Sequence, residues 1–384
     1  MNKLNLWLWF CENKFLTRKV KYDLYSHFET IENIYNAKRE DFEKLGFLSE
    51  IQIESLCSKS CKYEKLINFC KKNNVRIITR DMEEYPKNLE PLKYPPLMLY
   101  CRGNFIDLNK RFCISVVGTR NMSAYGKNCA YNLSKELAKN GAVIVSGLAD
   151  GVDSMAHSGA LDAGMPTVAI IGCGVNVVYP KKNAALMKRI LEHGMVISEY
   201  PLCTNPEKYH FPERNRIIAA LSPATLVIEA NIKSGSLITA KLACDLGKDV
   251  YAVPGSIYSA FSKGTNYLIK DGAYPASCAE DVFNPYKEIY SSYILNGMND
   301  KKEHIIENKM NPQEFISIKL VDETPPAKDA DEQAILAVLS DTPASVDFIY
   351  ESVNMDISAL NTKLLMMELS GRIKKNPGNT YSKI

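Results

Sequence analysis

The stretch Cys113-Ile-Ser-Val-Val-Gly-Thr-Arg-Asn-Met-Ser-Ala-Tyr-Gly126 passes from an apolar, β-branched segment through a glycine into a helix-forming segment. Similar apolar segments return at 142–145, 167–171, 195–197, 225–228 and 249–253, and helix-forming segments lie between most of them. Apolar strands that alternate with helices are typical of a parallel sheet covered on both faces. The sequence therefore predicts an α/β fold, a doubly wound Rossmann-like parallel sheet, over residues 75–285.

The segments on either side of this sheet predict smaller units. Residues 1–72 carry apolar positions at helical spacing, which predicts a small helical domain of the SAM or helix-hairpin-helix type. The turn-like segment Lys44-Leu-Gly-Phe-Leu48 would let such a domain bind DNA phosphate, although a role in protein interaction is favoured. Residues 286–328 are polar and rich in turn formers, so they are interpreted as a linker.

The last segment, residues 329–384, predicts a winged-helix module. Two short helices, over 331–339 and 346–353, precede a third helix with an apolar stripe at Ile357, Leu360, Leu364 and Met367. A hairpin follows, with a turn at Pro377-Gly-Asn379. Lys363 is the one cation that the third helix exposes in its first two turns, so contact with protein is at least as well supported as binding to DNA.

Bulk composition excludes several classes of protein. A net charge of +3 on 384 residues is too small to indicate a nucleic-acid partner, so any phosphate site must come from local clustering. The chain has no apolar run of transmembrane length and no cleavable leader pattern. The eleven cysteines lack paired spacing, and the close pair Cys57 and Cys61 has no matching second pair. These features predict a cytoplasmic protein without a metal site.

The glycines after the first strands do not form a cofactor signature. Gly118 and Gly126 do not give the Gly-x-Gly-x-x-Gly pattern of dinucleotide sites. The second strand ends in Ser146-Gly147, where a ribose-binding acidic residue would be expected, and no nucleotide phosphate loop occurs. We therefore expect no dinucleotide or nucleoside triphosphate cofactor.

An aromatic and basic stretch, Lys208-Tyr-His-Phe-Pro-Glu-Arg-Asn-Arg216, follows the fourth strand and leads into a helix. Rings on which bases stack, together with cations that neutralise phosphate, are what binding to a single strand requires. The alternative is a loop whose rings fill a crevice and whose arginines are solvated. For Arg214 and Arg216, two alternatives stay open, namely a place in the pocket and a role in helix packing.

Other polar segments follow strands at the same carboxyl edge, where open α/β sheets bind ligands. Arg120 could pair with a phosphate or with a neighbouring carboxylate. Asp153 and His157 are spaced for catalysis, but a helix-capping aspartate bonded to the histidine is the favoured interpretation. The turn Ser234-Gly-Ser236 either caps an anion or simply caps its own helix.

Several motifs together resemble the bacterial DNA-processing protein A family, also called DprA or Smf. They are Val117-Gly-Thr-Arg120, 146–157, Tyr179-Pro180, 211–218, 234–240 and Val253-Pro-Gly255. The resemblance spans residues 80–280. It implies a non-enzymatic protein that binds single-stranded DNA, protects incoming strands during natural transformation and loads the recombinase RecA onto them.

The resemblance also implies roles for individual residues. Arg120 and Lys208 would grip phosphates, and Phe211 would stack on a base. Ser146 and Gly147 would line the pocket floor, and the rest of the pocket would comprise Gly118, Arg214, Asn215, Ser234, Gly235 and Ser236. The family forms homodimers through the Rossmann-like domain, for which the candidate surface is Tyr267, Leu268 and Ile269.

Two other functional classes remain open. Phosphoribohydrolases of the lysine-decarboxylase-like family share the general fold, but they carry a Pro-Gly-Gly-x-Gly-Thr segment followed by a catalytic glutamate. This chain has Ser234-Gly-Ser-Leu-Ile-Thr-Ala240 followed by Lys241, which argues against hydrolysis. A pure adaptor with a vestigial pocket is the third class. We expect no catalytic residues.

Overall fold

The computed structural model of the protein describes residues 2–59, 63–294, 330–339, 344–353, 355, 360, 364, 367, 373–376 and 380–383. The chain divides into two units, residues 1–308 and 309–384. Most of the predicted linker, together with Cys61, Ile357, Lys363 and the turn at 377–379, lies outside the described residues. Among the described residues, no helix is both long and apolar enough to cross a membrane.

Six helices form the amino-terminal part, as the periodicity predicted. They are α1 Lys3–Cys11, α2 Arg18–Phe28, α3 Ile31–Asn36, α4 Arg39–Glu43, α5 Glu50–Cys57 and α6 Glu64–Lys72. The side chains of Thr17 and Thr30 accept backbone N–H groups at the starts of α2 and α3, which satisfies donors that a helix leaves free. Trp7 and Phe10 are buried, and the helices share a core cluster with the strand residue Tyr100.

A nine-stranded sheet forms the centre of the larger unit. Its strands are β1 Val75–Thr79, β2 Met98–Gly103, β3 Cys113–Val117, β4 Val143–Ser146, β5 Thr167–Ile170, β6 Met195–Ser198, β7 Ala224–Val227, β8 Asp249–Ala252 and β9 Tyr274–Pro275. They lie in the order β1-β2-β6-β5-β4-β3-β7-β8-β9. The strands from β3 to β9 are parallel, and β1 and β2 form an antiparallel edge.

Helices cover both faces of this sheet, which confirms the predicted doubly wound fold. They are α7 Ala124–Lys139, α8 Val152–Asp162, α9 Ala184–His193, α10 His210–Leu221, α11 Gly235–Asp245, α12 Lys263–Lys270 and α13 Ala279–Phe283. Ile114 and Val116 of β3 pack in a core cluster with α7 and α8. Cys113 and Val117 point to the opposite face, where they pack in a cluster with α10 and α11.

The smaller unit contains α14 Ala330–Val338, β10 Ala344–Ser345, α15 Val346–Ser352, β11 Ile373–Asn376 and β12 Thr380–Lys383. Its strands pair antiparallel in the order β10-β12-β11. The Ser345 hydroxyl accepts the Phe348 N–H at 3.2 Å, so Ser345 caps α15. Leu360, Leu364 and Met367 are helical and fully buried. These elements agree with the predicted winged helix.

Candidate nucleic-acid interface

Loops that follow β3, β4, β5 and β7 meet the first turns of α10 and α11 at the carboxyl edge of the sheet. Two cavities, of about 770 and 390 Å³, open between these loops. The larger cavity brings together most of the predicted site residues, namely Gly118, Arg120, Phe211, Arg214, Asn215, Ser234, Gly235 and Ser236. Gly147 lines the smaller cavity, and both cavities share Arg120, Phe211 and Arg214. Ser146 and Lys208 line neither.

The Phe211 side chain lies in the first turn of α10 and forms part of a small stack. Its ring centroid is 5.4 Å from that of Tyr179, with the two planes inclined by 30°. The guanidinium carbon of Arg120 lies 5.4 Å from the Phe211 centroid, which is within the range of a cation–π contact. Tyr179 belongs to one of the sequence motifs but was not predicted as a site residue. The sequence feature that could have identified it is an aromatic residue that follows β5 at this same edge.

Arg120 and Lys208 are cations at this edge for which the described residues supply no anionic partner. Arg120 and Lys208 are exposed, and within the described part of the chain neither forms an ion pair. Among the described residues, Arg120 therefore does not form the structural salt bridge that was the alternative to phosphate binding. Both side chains retain their capacity to pair with phosphate.

Arg214 differs from these cations because it is only 3% exposed. Its Nη1 donates to the carbonyl oxygen of Ile170 at 2.5 Å. Burial lowers the pKa of Arg214, and the attraction of Asp153 works against that shift. The guanidinium is therefore a fixed wall of both cavities. Arg216 also points into the protein, where it pairs with the carboxylate of Glu199, so it belongs to helix packing.

The loop between β4 and α8 is held in an unusual conformation. A β-carbon on Gly147 would lie 1.9 Å from Nη1 of Arg214, so only glycine fits this approach. Leu148 is buried with a φ of 54°, which is costly for a branched side chain. Asn183 donates to the Leu148 carbonyl oxygen at 3.0 Å and helps to hold it. Gly151, with a φ of 78°, then turns the chain into α8.

Asp153 supports this loop, whereas His157 contacts the neighbouring strand β5. The Asp153 carboxylate accepts the Ala149 N–H at 3.4 Å, and burial raises its pKa against the attraction of Arg214. The favoured interpretation expected a hydrogen bond between His157 and Asp153, and the structure instead places His157 against Thr167. Its Nδ1 lies 2.8 Å from the hydroxyl oxygen of Thr167, which is the more deeply placed partner on β5.

The protonation of His157 follows from that contact. The Thr167 hydroxyl donates to the Ile144 carbonyl oxygen at 2.6 Å, so it must accept from Nδ1 of His157. Complete burial lowers the pKa of His157 to about 3, and the ring is neutral at physiological pH. Neutral and enclosed, this histidine has the character of a core residue.

Hydrogen bonds hold both Ser146 and the start of α11 in place. Ser146 is fully buried, and its hydroxyl donates to the Val116 carbonyl oxygen at 2.6 Å, which ties β4 to β3. Ser234 caps α11, because its hydroxyl oxygen accepts the Ser236 N–H at 3.3 Å. A β-carbon on Gly235 would meet no atom within 4 Å, so this turn faces open space in the larger cavity.

A buried carboxylate occupies the amino end of α7. Glu229 accepts both the N–H of Ser123 at 2.9 Å and its hydroxyl at 2.6 Å. Nucleotide-binding sheets of this type place a ligand phosphate at that helix end, where the helix dipole attracts an anion. A protein carboxylate already fills that position here. Within the described residues, no group of three or more metal-ligating side chains is assembled.

The predicted dimer surface lies on α12. Tyr267 is 55% exposed, whereas Leu268 and Ile269 are half-buried against the sheet domain. Two further apolar side chains just before this helix, Ile257 and Tyr258, are also strongly exposed. The exposed apolar surface is thus centred slightly earlier in the chain than the prediction.

Comparison with known proteins extends these observations. The family model described as DNA recombination-mediator protein A matches residues 76–287, and the model described as DprA winged helix domain matches residues 322–379. The chain is 39% identical over 227 residues to the DNA processing protein DprA of Bacillus subtilis, a match that covers 59% of this chain and 76% of that protein.

Two solved structures share the fold. The DNA processing protein A of Streptococcus pneumoniae is 33% identical with a TM-score of 0.65, over 73% of this chain and 97% of that one. The Helicobacter pylori protein, whose structure is described as giving insight into its single-stranded DNA binding mode, is 35% identical with a TM-score of 0.51, over 56% and 97%. Since the family model also covers more than half of the sequence, the chain belongs to the DNA recombination-mediator protein A family, that of the DprA and Smf proteins.

Proposed function

We propose that this protein binds single-stranded DNA along the carboxyl edge of its sheet. The observation that carries the proposal is the stack of Phe211, Tyr179 and Arg120 beside open cavities. A ring at a cavity mouth offers a face to a base, and unpaired cations beside it attract the backbone. The description of the Helicobacter pylori relative as a protein with a single-stranded DNA binding mode supports this assignment.

Each of the predicted residues has a specific part in this proposal. Arg120 and Lys208 neutralise phosphates, and Phe211 stacks on a base. Asn215 and the Ser234–Ser236 turn offer polar groups and backbone N–H groups to the strand. Gly147 and Ser146 keep the cavity floor in shape, while Arg214 forms its wall.

The direct experiment is an equilibrium titration of a fluorescently labelled single strand of mixed sequence, repeated with the matching duplex at several salt concentrations. We expect the single strand to bind more tightly, because stacking requires unpaired bases. Equal affinity for the duplex, or no binding at low salt, would overturn the proposal. The second result would favour an adaptor with a vestigial pocket.

We propose further that the protein is not itself an enzyme. His157 is neutral and enclosed, and no glutamate follows the Ser234–Ala240 segment, where the phosphoribohydrolases carry their catalytic one. The test is incubation with nucleoside monophosphates, with release of free base followed by chromatography. We expect none above the uncatalysed rate, and sustained turnover would replace the binding assignment by hydrolysis.

We infer that the bound strand is protected and handed to the recombinase RecA during natural transformation, which places the protein in the cytoplasm. The family's description as a recombination mediator supports this role. The assay measures RecA filament formation on a strand already covered by single-strand-binding protein. We expect faster filament growth when this protein is added, and an unchanged rate would remove the mediator role but not strand binding.

We propose a homodimer formed through α12 and the segment before it. Tyr267 with Ile257 and Tyr258 makes an exposed apolar surface of the kind that marks a protein contact. Sedimentation equilibrium should show a dimer for the wild type and a monomer for Tyr267→Lys. The matched control is Ile289→Lys, which changes a similarly exposed residue outside this surface and should leave the dimer intact.

A further inference from the structure

Four charged side chains join the amino-terminal helices to the helix that carries Phe211. Nη2 of Arg18, the first residue of α2, lies 3.2 Å from Oε1 of Glu199 and 2.9 Å from Oε2 of Glu213. Arg216 pairs with the other oxygen of Glu199 and donates to the Tyr94 carbonyl oxygen at 3.2 Å. Glu199 thus pairs with two guanidinium groups, one from α2 and one from α10, and Glu213 pairs with that of α2.

Part of the cluster is shielded from water, whereas the side chains of Arg18 and Glu213 are 31% and 40% exposed. The side chains of Glu199 and Arg216 are only 8% and 13% exposed. Burial opposes the charge on Arg18, but the attraction of Glu199 and Glu213 outweighs it and raises the pKa of Arg18. Removing one member of such a cluster leaves an uncompensated charge, so the remaining groups must move or take up water.

The same cluster holds the first turn of α10. The Tyr200 hydroxyl donates to Oε2 of Glu213 at 2.9 Å, and its ring centroid lies 4.0 Å from that of His210. Nδ1 of His210 lies 3.0 Å from the Gly172 carbonyl oxygen, in the loop that lines the smaller cavity. Phe211 therefore directly follows His210, which is held by Gly172 and Tyr200. It lies two positions before Glu213, which is held by Arg18.

The charged cluster borders an open region between the amino-terminal helices and the sheet. A cavity of about 850 Å³ lies between the amino-terminal helices and the sheet, and Arg18, Glu199 and Tyr200 are among the residues that line it. Where side chains face a cavity, van der Waals contacts are lost. The ion pairs of Arg18 with Glu199 and Glu213 connect α2 to the end of β6 and to α10 beside this cavity.

We propose that Arg18 is a positioning residue for strand binding, which fixes the first turn of α10 and thereby the Phe211 ring in its stacking geometry. Arg18 lines neither of the two cavities of the binding edge, so it acts through Glu213. The inference rests on the proposed function. It makes the amino-terminal helices a part of the binding site's support.

The test compares Arg18→Gln with Lys19→Gln, which removes the same charge from the exposed neighbouring position. We expect Arg18→Gln to weaken single-strand affinity by about 2- to 30-fold, the usual range for residues that act through packed neighbours. Lys19→Gln should bind as the wild type does. Arg18→Lys, which keeps the charge, should recover part of the loss.

The slope of log affinity against log salt separates positioning from direct contact. A positioning residue leaves the slope unchanged, whereas a lost phosphate contact flattens it by about 0.7. In a Phe211→Ala background, Arg18→Gln should have little further effect, because the ring it positions is gone. If Arg18→Gln instead caused a general loss of folding, it would lower affinity equally in the wild-type and Phe211→Ala backgrounds. Glu213→Gln tests the coupling between Arg18 and Phe211 from the α10 side.

Three results would overturn the inference. Wild-type affinity in Arg18→Gln would do so, as would a flattened salt slope or full additivity with Phe211→Ala. The first of these leaves the proposed function intact, provided that Phe211→Ala itself loses affinity. Wild-type affinity in Phe211→Ala would remove both the inference and the proposed stacking site.

Discussion

Gly147→Ala tests whether the buried arginine and the β4–α8 loop are as closely fitted as the structure indicates. The new methyl carbon would lie 1.9 Å from Nη1 of Arg214, 2.6 Å from its Cζ and 2.5 Å from Oδ2 of Asp153. Contacts between nonbonded atoms are normally 3.5–4.0 Å, so one of these groups has to move by more than about 1 Å.

Neither group can move without loss. Nη1 of Arg214 is bonded to the Ile170 carbonyl oxygen, and Asp153 accepts the Ala149 N–H. Overpacking in a well-packed interior costs about 1–3 kcal/mol. Breaking a hydrogen bond to a charged group adds about 1.5–3 kcal/mol. We therefore expect Gly147→Ala to lower the free energy of unfolding by about 2.5–6 kcal/mol, with weaker single-strand binding because Arg214 lines both cavities.

Gly235→Ala is the matched control, since it places a methyl group in the same cleft where no atom lies within 4 Å. Gly235 is the first residue of α11, and alanine in a helix is about 0.5–1 kcal/mol more favourable than glycine, so stability should be unchanged or slightly higher. Urea unfolding followed by circular dichroism measures both variants. Equal stabilities for the two variants would refute the close approach of Arg214 to Gly147.

Two further predictions concern buried groups around the site. Burial lowers the pKa of His157 to about 3, so the unfolded chain, with an ordinary histidine pKa of about 6.5, binds a proton that the folded chain does not. Stability should therefore fall as the pH is lowered, by about 2 kcal/mol from this group between about pH 7.5 and 5, and urea unfolding of His157→Gln should lack that part of the slope. Ser123→Ala removes the cap of α7 and a partner of Glu229, so it should cost about 1 kcal/mol in the same assay, and no loss would contradict the capping role.

Six strands of the parallel part, β3 to β8, were predictable because each is a continuous apolar segment of sequence, whereas the two-residue strand β9 was not predicted. Continuous apolar segments at 113–117 and 167–171 match β3 and β5 within a residue. The edge strands β1 and β2 were not predicted as strands. These two strands join the sheet by pairing with residues that are distant in sequence, such as Tyr100 with Ser198. The local sequence pattern does not indicate such pairing.

At the site, sequence predicted which segments converge but not which side chains face the cavities. Arg214 shares one face of α10 with Ile217, Ile218 and Leu221, which are all buried. That helical spacing could have shown that Arg214 points inward. The contact of His157 with Thr167, in contrast, depends on how α8 crosses β5, which short-range spacing does not specify.

The proposed site requires that a single strand stacks on Phe211 while the nearby cations hold its backbone. The salt dependence of single-strand affinity for the wild type, Phe211→Ala and Arg120→Ala tests this requirement. Phe211→Ala should lose about 1–3 kcal/mol at every salt concentration with an unchanged slope. Arg120→Ala should flatten the slope by about 0.7. Wild-type affinity and slope in both variants would contradict the proposed site.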